Sequence, residues 1–140
     1  SIAAVLGGVA GSWFAGDESL QQRVAVGAEA PAPIATALSK VAAGTVADAG
    51  GRRLTLVASF RLSGNELCRE FELSGDQSGA VVAVACRSQG AWITRFAVAA
   101  ATGDGYVPAS SHEAVEAYLQ AVGAGLSLSP NEELGALSQE

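Results

Sequence analysis

Four apolar runs occupy the middle of the chain: Leu54–Leu62, Leu67–Leu73, Ala80–Arg87 and Ala91–Val98. Polar, turn-forming clusters separate them, Ser63-Gly64-Asn65-Glu66, Ser74–Gly79 and Ser88-Gln89-Gly90. Short runs rich in Val, Leu, Phe and Thr between Gly, Asn, Asp and Ser clusters predict consecutive antiparallel strands. A brief edge strand at Thr45–Ala47 joins them through the Ala49-Gly50-Gly51 turn. On either side the period changes from two to about 3.6 residues. Ile34, Leu38 and Val41 predict a short amphipathic helix over Ile34–Ala43, with Pro33 suited to its first turn. Val115, Tyr118, Leu119 and Val122 predict a second over Ser111–Val122, and Leu134 and Leu137 a third that ends near Leu137. Two serine-led boxes precede the later helices. Ser110 with Glu113, and Ser129 with Pro130 and Glu132, have the spacing in which a hydroxyl and a carboxylate serve free amides at a helix start. The pattern specifies an α+β fold: a four- to five-stranded antiparallel meander with flanking N- and C-terminal helices. The Ser111–Val122 helix is expected to lie on an apolar face built from Phe71, Leu73, Trp92, Phe96 and Val98.

The hairpin around Ser74–Gly79 bears on the two cysteines. If Leu73 faces Val81, the antiparallel register places Cys68 opposite Cys86. Directly opposed residues of a non-hydrogen-bonded pair stand close enough for a disulfide. A Cys68–Cys86 bridge is therefore expected, the alternative being two buried free thiols. A structural disulfide would place the domain in an oxidising compartment.

Upstream, Ile2–Ala15 is apolar and uncharged and stops at Gly16-Asp17-Glu18. It is shorter than the roughly 20 residues that span a bilayer. Its Gly7/Gly11 spacing and the Trp13-Phe14 pair at its polar boundary fit the tail end of a spanning helix. The alternative is a hydrophobic helix buried in this domain or in a homodimer formed through Ile2–Ala15. The expected organisation is an apolar segment over 1–16, a helix and Ala/Pro-rich linker over 17–44, and a disulfide-stapled domain over 45–137. Within the second part, Asp17–Val26 reads as a continuing helix and Gly27–Pro33 as an extended linker without core capacity. The chain begins with Ser and contains no Met, which leads us to expect further sequence upstream.

Composition narrows the function. The 140 residues carry a net charge of −6 and no Lys/Arg cluster, a poor match to nucleic acid or an anionic membrane surface. Two Cys and one His give no metal-ligand spacing, so neither a metal nor another cofactor is expected. Any Ser-His-acid triad must use His112, beside Ser110 and Ser111, where helix capping already accounts for the serines. Gly103-Asp104-Gly105 lacks the length and further ligands of a phosphate or calcium loop and reads as a turn. Glu66, Glu70 and Glu72 near Arg69 and Arg87 read as an exposed ion-pair ladder, with Glu70 and Glu72 on the strand face of Cys68. These features together point to a non-enzymatic chain.

One longer pattern is more specific. Leu67-Cys68-Arg69-Glu70-Phe71-Glu72, then Val84-Ala85-Cys86-Arg87 and Gly90-Ala91-Trp92, resembles the extracytoplasmic C-terminal part of alphaproteobacterial transmembrane anti-sigma factor-like proteins. It is also similar to the C-terminal domain of rickettsial-type surface antigen lipoproteins. The first resemblance extends to Pro33–Ala43, to Tyr106-Val107-Pro108-Ala109 and to Leu128–Leu137, and so covers roughly Ala30 to Leu137. It implies a single-pass protein at the periplasmic face of the bacterial inner membrane, attached through the N-terminal apolar segment. The domain would act in signal transduction through an unidentified protein partner. Cys68, Arg69, Glu70, Phe71, Cys86, Arg87 and Trp92 would be its motif residues, structural or partner-binding. The second resemblance implies a structural envelope domain without a regulatory role. A sensory domain of this kind would engage a protein at a strand edge, a small apolar ligand between sheet and helix, or the redox state of the cysteine pair.

Overall fold

The computed structural model describes residues 24–74, 80–100 and 109–139. The expectations for Ile2–Ala15, for most of Asp17–Val26, for the turn at 75–79 and for Gly103–Gly105 lie outside those residues. Helix α1 (Ala32–Lys40) leads into five strands, β1 (Val46–Ala49), β2 (Arg52–Leu62), β3 (Glu66–Ser74), β4 (Ala80–Ser88) and β5 (Ala91–Ala100). Helices α2 (Ala109–Ala121) and α3 (Pro130–Ser138) follow. The strands pair antiparallel in chain order, β1-β2-β3-β4-β5, a meander in which each strand neighbours the next. The fold is α+β, as the hydrophobic pattern predicts.

Turn chemistry sets the registers. β1 and β2 are joined by Gly50-Gly51, both at positive φ (66° and 84°), between the paired Ala49 and Arg52. Two residues in the left-handed region make the turn whose twist matches that of the strands, and glycine enters it without a Cβ clash. β4 and β5 use the same device at Gln89 (φ 54°) and Gly90 (φ 83°), where a glutamine occupies a position that favours glycine.

Both faces of the sheet are covered. On one, α1 and α3 lie over Leu54, Leu56, Phe71, Leu73, Val81 and Trp92, with Ile34, Leu38 and Ala136 as the helix contribution. On the other, Val115 and Leu119 of α2 lie over Cys68, Val82, Val84 and Cys86, flanked by Phe60, Phe96 and Tyr118. Burial on both faces explains why Ala80–Cys86 is an unbroken apolar run rather than an alternating one.

The expected seat of the second helix needs correction. Phe71, Leu73 and Trp92 face α1 and α3, whereas Phe96 faces α2 and stacks on Tyr118 with ring centroids 4.7 Å apart. The cause is a bulge. β4 and β5 shift register between Val84 and Ala85, where Val84 pairs Phe96 but Ala85 pairs Thr94. Arg95 is the extra residue, and one extra residue inverts the face of everything beyond it. Strict alternation along β5 therefore put Trp92 and Phe96 together when the sheet separates them.

Three smaller differences have local causes. β1 begins one residue later than expected and runs to Ala49. α2 starts at Ala109, a strong helix former, so Ser110 is already helical and does not cap it; Ser111 is buried instead. The supposed coreless linker docks on β5: the Gly27 amide donates to the Thr94 carbonyl (2.7 Å), the Ala30 amide to that of Trp92 (2.8 Å), and Ala30 is buried. The Ser129 box forms as read, with the Glu132 amide donating to the Ser129 hydroxyl and the Ser129 amide to the Glu132 carboxylate. Among the described residues no helix is long and apolar enough to cross a membrane.

Candidate functional site

The motif residues divide between the two faces of the sheet. Arg69, Phe71, Arg87 and Trp92 belong to the face under α1 and α3; Cys68, Glu70 and Cys86 belong to the face under α2. They form two arrangements, with different chemistry.

The first is a set of arginine fasteners. Arg69 is fully buried, directly opposite Ala85, and its neighbour on the face, Phe71, is opposite Ala83. Small partners leave room for a guanidinium and a ring beneath the helices. Arg69 donates through Nη1 to the Leu38 carbonyl (2.6 Å) and through Nη2 to that of Val41, at the C-terminal end of α1. Its Nε donates to Ser59 Oγ (2.8 Å) and its Nη2 to Glu133 Oε2 of α3 (2.8 Å). Ser59 Oγ in turn donates to Glu133 Oε2 (2.6 Å), and the Ala43 amide donates to Glu133 Oε1 (3.0 Å). Carbonyls at the end of a helix lack intrahelical donors and carry the negative end of its dipole, so a cation there both satisfies and stabilises them. Arg87 repeats the arrangement one strand away, donating to the carbonyls of Ala136 (2.6 Å) and Leu137 (3.4 Å) at the end of α3. Its guanidinium also lies over the Trp92 ring, 5.6 Å from the centroid. The Trp92 indole N–H donates to Ser39 Oγ of α1 (2.9 Å). Three motif side chains thus bind two short helices to one sheet face.

Burial and hydrogen bonding oppose each other at this junction, with opposite outcomes for its two charged members. Burial works against the Glu133 charge, but bonds from Ser59, the Ala43 amide and Arg69, with the Arg69 charge, outweigh it and hold the carboxyl below its ordinary range. Burial likewise presses Arg69 down from the usual arginine value, opposed chiefly by its bond to Glu133. The expected exposed pairing of Arg69 and Arg87 with Glu66, Glu70 or Glu72 is not what forms. Arg69 reaches a carboxylate 64 residues away, and Glu66 pairs with Arg95 across β4 (2.5 Å). The capping box assigns Glu132 to the start of α3, but nothing local marks its neighbour Glu133 as the partner of a side chain 64 residues away.

The second arrangement lies under α2. The Cys68–Cys86 disulfide is present between directly paired residues, both buried, as the hairpin register predicts. The Glu66 carboxylate comes close to both sulfurs, but these are bonded to each other and Glu66 to Arg95, so the trio offers no thiolate ligand. Further along β3, His112 of α2 sits between two carboxylates, with Nε2 3.1 Å from Glu72 and Nδ1 3.8 Å from Glu70. Glu70 is nine-tenths buried, and its carboxyl is pushed above its ordinary range by burial, which outweighs the His112 charge and is reinforced by Glu72 and Glu116. The sequence sets His112 in a helix first turn beside Ser110 and Ser111; the fold makes it the link between α2 and the acidic stripe of β3.

Comparison with protein-family models, with curated proteins and with solved structures finds no match to this chain.

Proposed function

We propose that the chain is a non-enzymatic sensory or interaction domain on the periplasmic face of the bacterial inner membrane, part of a single-pass regulator resembling anti-sigma factors. The observation that carries the reading is the buried Cys68–Cys86 disulfide, since such a staple persists where thiols are not kept reduced. The sequence motif adds the family resemblance, and its residues have coherent roles. Arg69, Arg87 and Trp92 hold α1 and α3 on one face while the cysteines staple the other. In this reading Ile2–Ala15 belongs to the membrane attachment, an apolar, uncharged stretch ending at an acidic boundary. The acidic charge of the whole chain is compatible with a protein or small-molecule partner rather than nucleic acid.

The use of three motif arginine and tryptophan side chains as fasteners also favours a second reading, a structural envelope domain of the surface-antigen type. The test uses the full natural gene with alkaline phosphatase fused after Glu140, together with thiol labelling of the denatured, unreduced protein. An active fusion and unlabelled cysteines are expected; an inactive fusion with both cysteines labelled overturns the periplasmic assignment. Co-purification of a sigma factor with the full-length protein then selects the regulator, and a lipid-modified N-terminal cysteine selects the envelope domain.

A further inference from the structure

A cleft of about 570 Å³ opens where the C-terminal half of α2 and the segment after it meet β2 and β3. Its walls are Phe60, Leu119 and Leu126, and its polar groups are Glu70, Glu116 and Gln120. Among the described residues neither Lys nor Arg lines it. We propose that this cleft is a binding site for an organic cation with an apolar body, an alkylamine of small-molecule size whose ammonium group meets Glu70 and whose hydrocarbon lies on Phe60, Leu119 and Leu126.

Three observations support this. The volume is that of a small-molecule site, and such sites combine apolar walls with a few placed polar groups. A carboxylate that is nine-tenths buried needs a cation or donors, and the basic side chain beside it, His112, stands 3.8 Å away while nearer to Glu72. Leu126 is 93 % exposed at the mouth of the cleft, a large apolar side chain that a bound hydrocarbon would cover. The proposal goes beyond the sensory reading and does not require it.

The experiment titrates octylamine, octanol and octanoate separately into the isotope-labelled 140-residue chain and follows amide shifts at Phe60 and along Glu116–Gly125. Octylamine is expected to shift these amides saturably, and Glu70→Gln to weaken it about 10- to 100-fold, the loss of a charge-assisted hydrogen bond. Leu126→Ser is expected to weaken it several-fold with an unchanged melting temperature. Affinity should also fall on acidification as Glu70 takes up a proton; Glu72 of β3 and His112 and Glu116 of α2 are the titratable groups acting on it. Octanol or octanoate binding as tightly as octylamine overturns the proposal, as does the absence of a saturable shift. Should Glu70→Gln fail to fold, Glu116→Gln and Leu126→Ser decide, and unchanged affinity in both overturns it.

Discussion

Arg69 illustrates how much a single side chain can be asked to do. It is fully buried and satisfies two helix carbonyls, a hydroxyl and a carboxylate. A buried pair of this kind contributes little net stability compared with an apolar pair, but removing one member leaves an uncompensated charge. Glu133→Ala is therefore expected to destabilise the fold by about 3 kcal/mol or more, read by urea denaturation. The double variant Arg69→Met with Glu133→Leu should lose less than the sum of the singles, and simple additivity would count against the coupling. The two buried carboxyls act in opposite directions with pH. Glu133 has a depressed value in the folded state, so its contribution is present above the ordinary glutamate range and is lost as pH falls through that depressed value. Glu70 has a raised value, so the folded state gains relative stability as pH falls through it. Glu70→Gln is accordingly expected to raise the melting temperature at neutral pH, and a lower one would show that its charge is well accommodated.

At the scale of elements, the disulfide and the turns are the main local determinants. Cys68 and Cys86 are 18 residues apart, and a closed loop of that size contributes about 3 kcal/mol in the chain-entropy account. Cys68→Ala with Cys86→Ala should lower the denaturant midpoint accordingly, and an unchanged midpoint would mean that the hairpin holds without its staple. In the β4–β5 turn, Gln89 holds a left-handed conformation that costs a non-glycine residue about 1 kcal/mol. Gln89→Gly should recover up to that amount, visible as a small rise in melting temperature. The serine boxes show how far local signals reach. Ser129, Pro130 and Glu132 were legible because all the groups involved lie within one turn. Ser110 carries the same signal yet is inside a helix that begins one residue earlier.

For the molecule as a whole, the sheet is a central layer held between α2 on one side and α1 with α3 on the other. Ile2–Ala15 is an apolar, uncharged stretch of the sequence, and we expect such a stretch to favour association, because apolar surface gains by leaving water. Light scattering of the 140-residue chain and of a form lacking Ser1–Ala15 should therefore give a smaller assembly for the second; equal assembly would remove that segment from the association.

By itself the sequence determined the strands, their order, the hairpin register and the cysteine pairing, because these follow from short apolar runs and from the turn residues between them, signals that act over a few positions. It also determined the three helices to within a few residues. The tertiary structure alone decided which face each helix covers. The Arg95 bulge reverses the parity of β5, and alternation carries no mark of one extra residue. It alone also chose Glu133 for Arg69, His112 for Glu70 and Glu72, and the end of α3 for Arg87. These partners lie far apart along the chain, and buried charge finds its counter-charge through packing rather than through spacing.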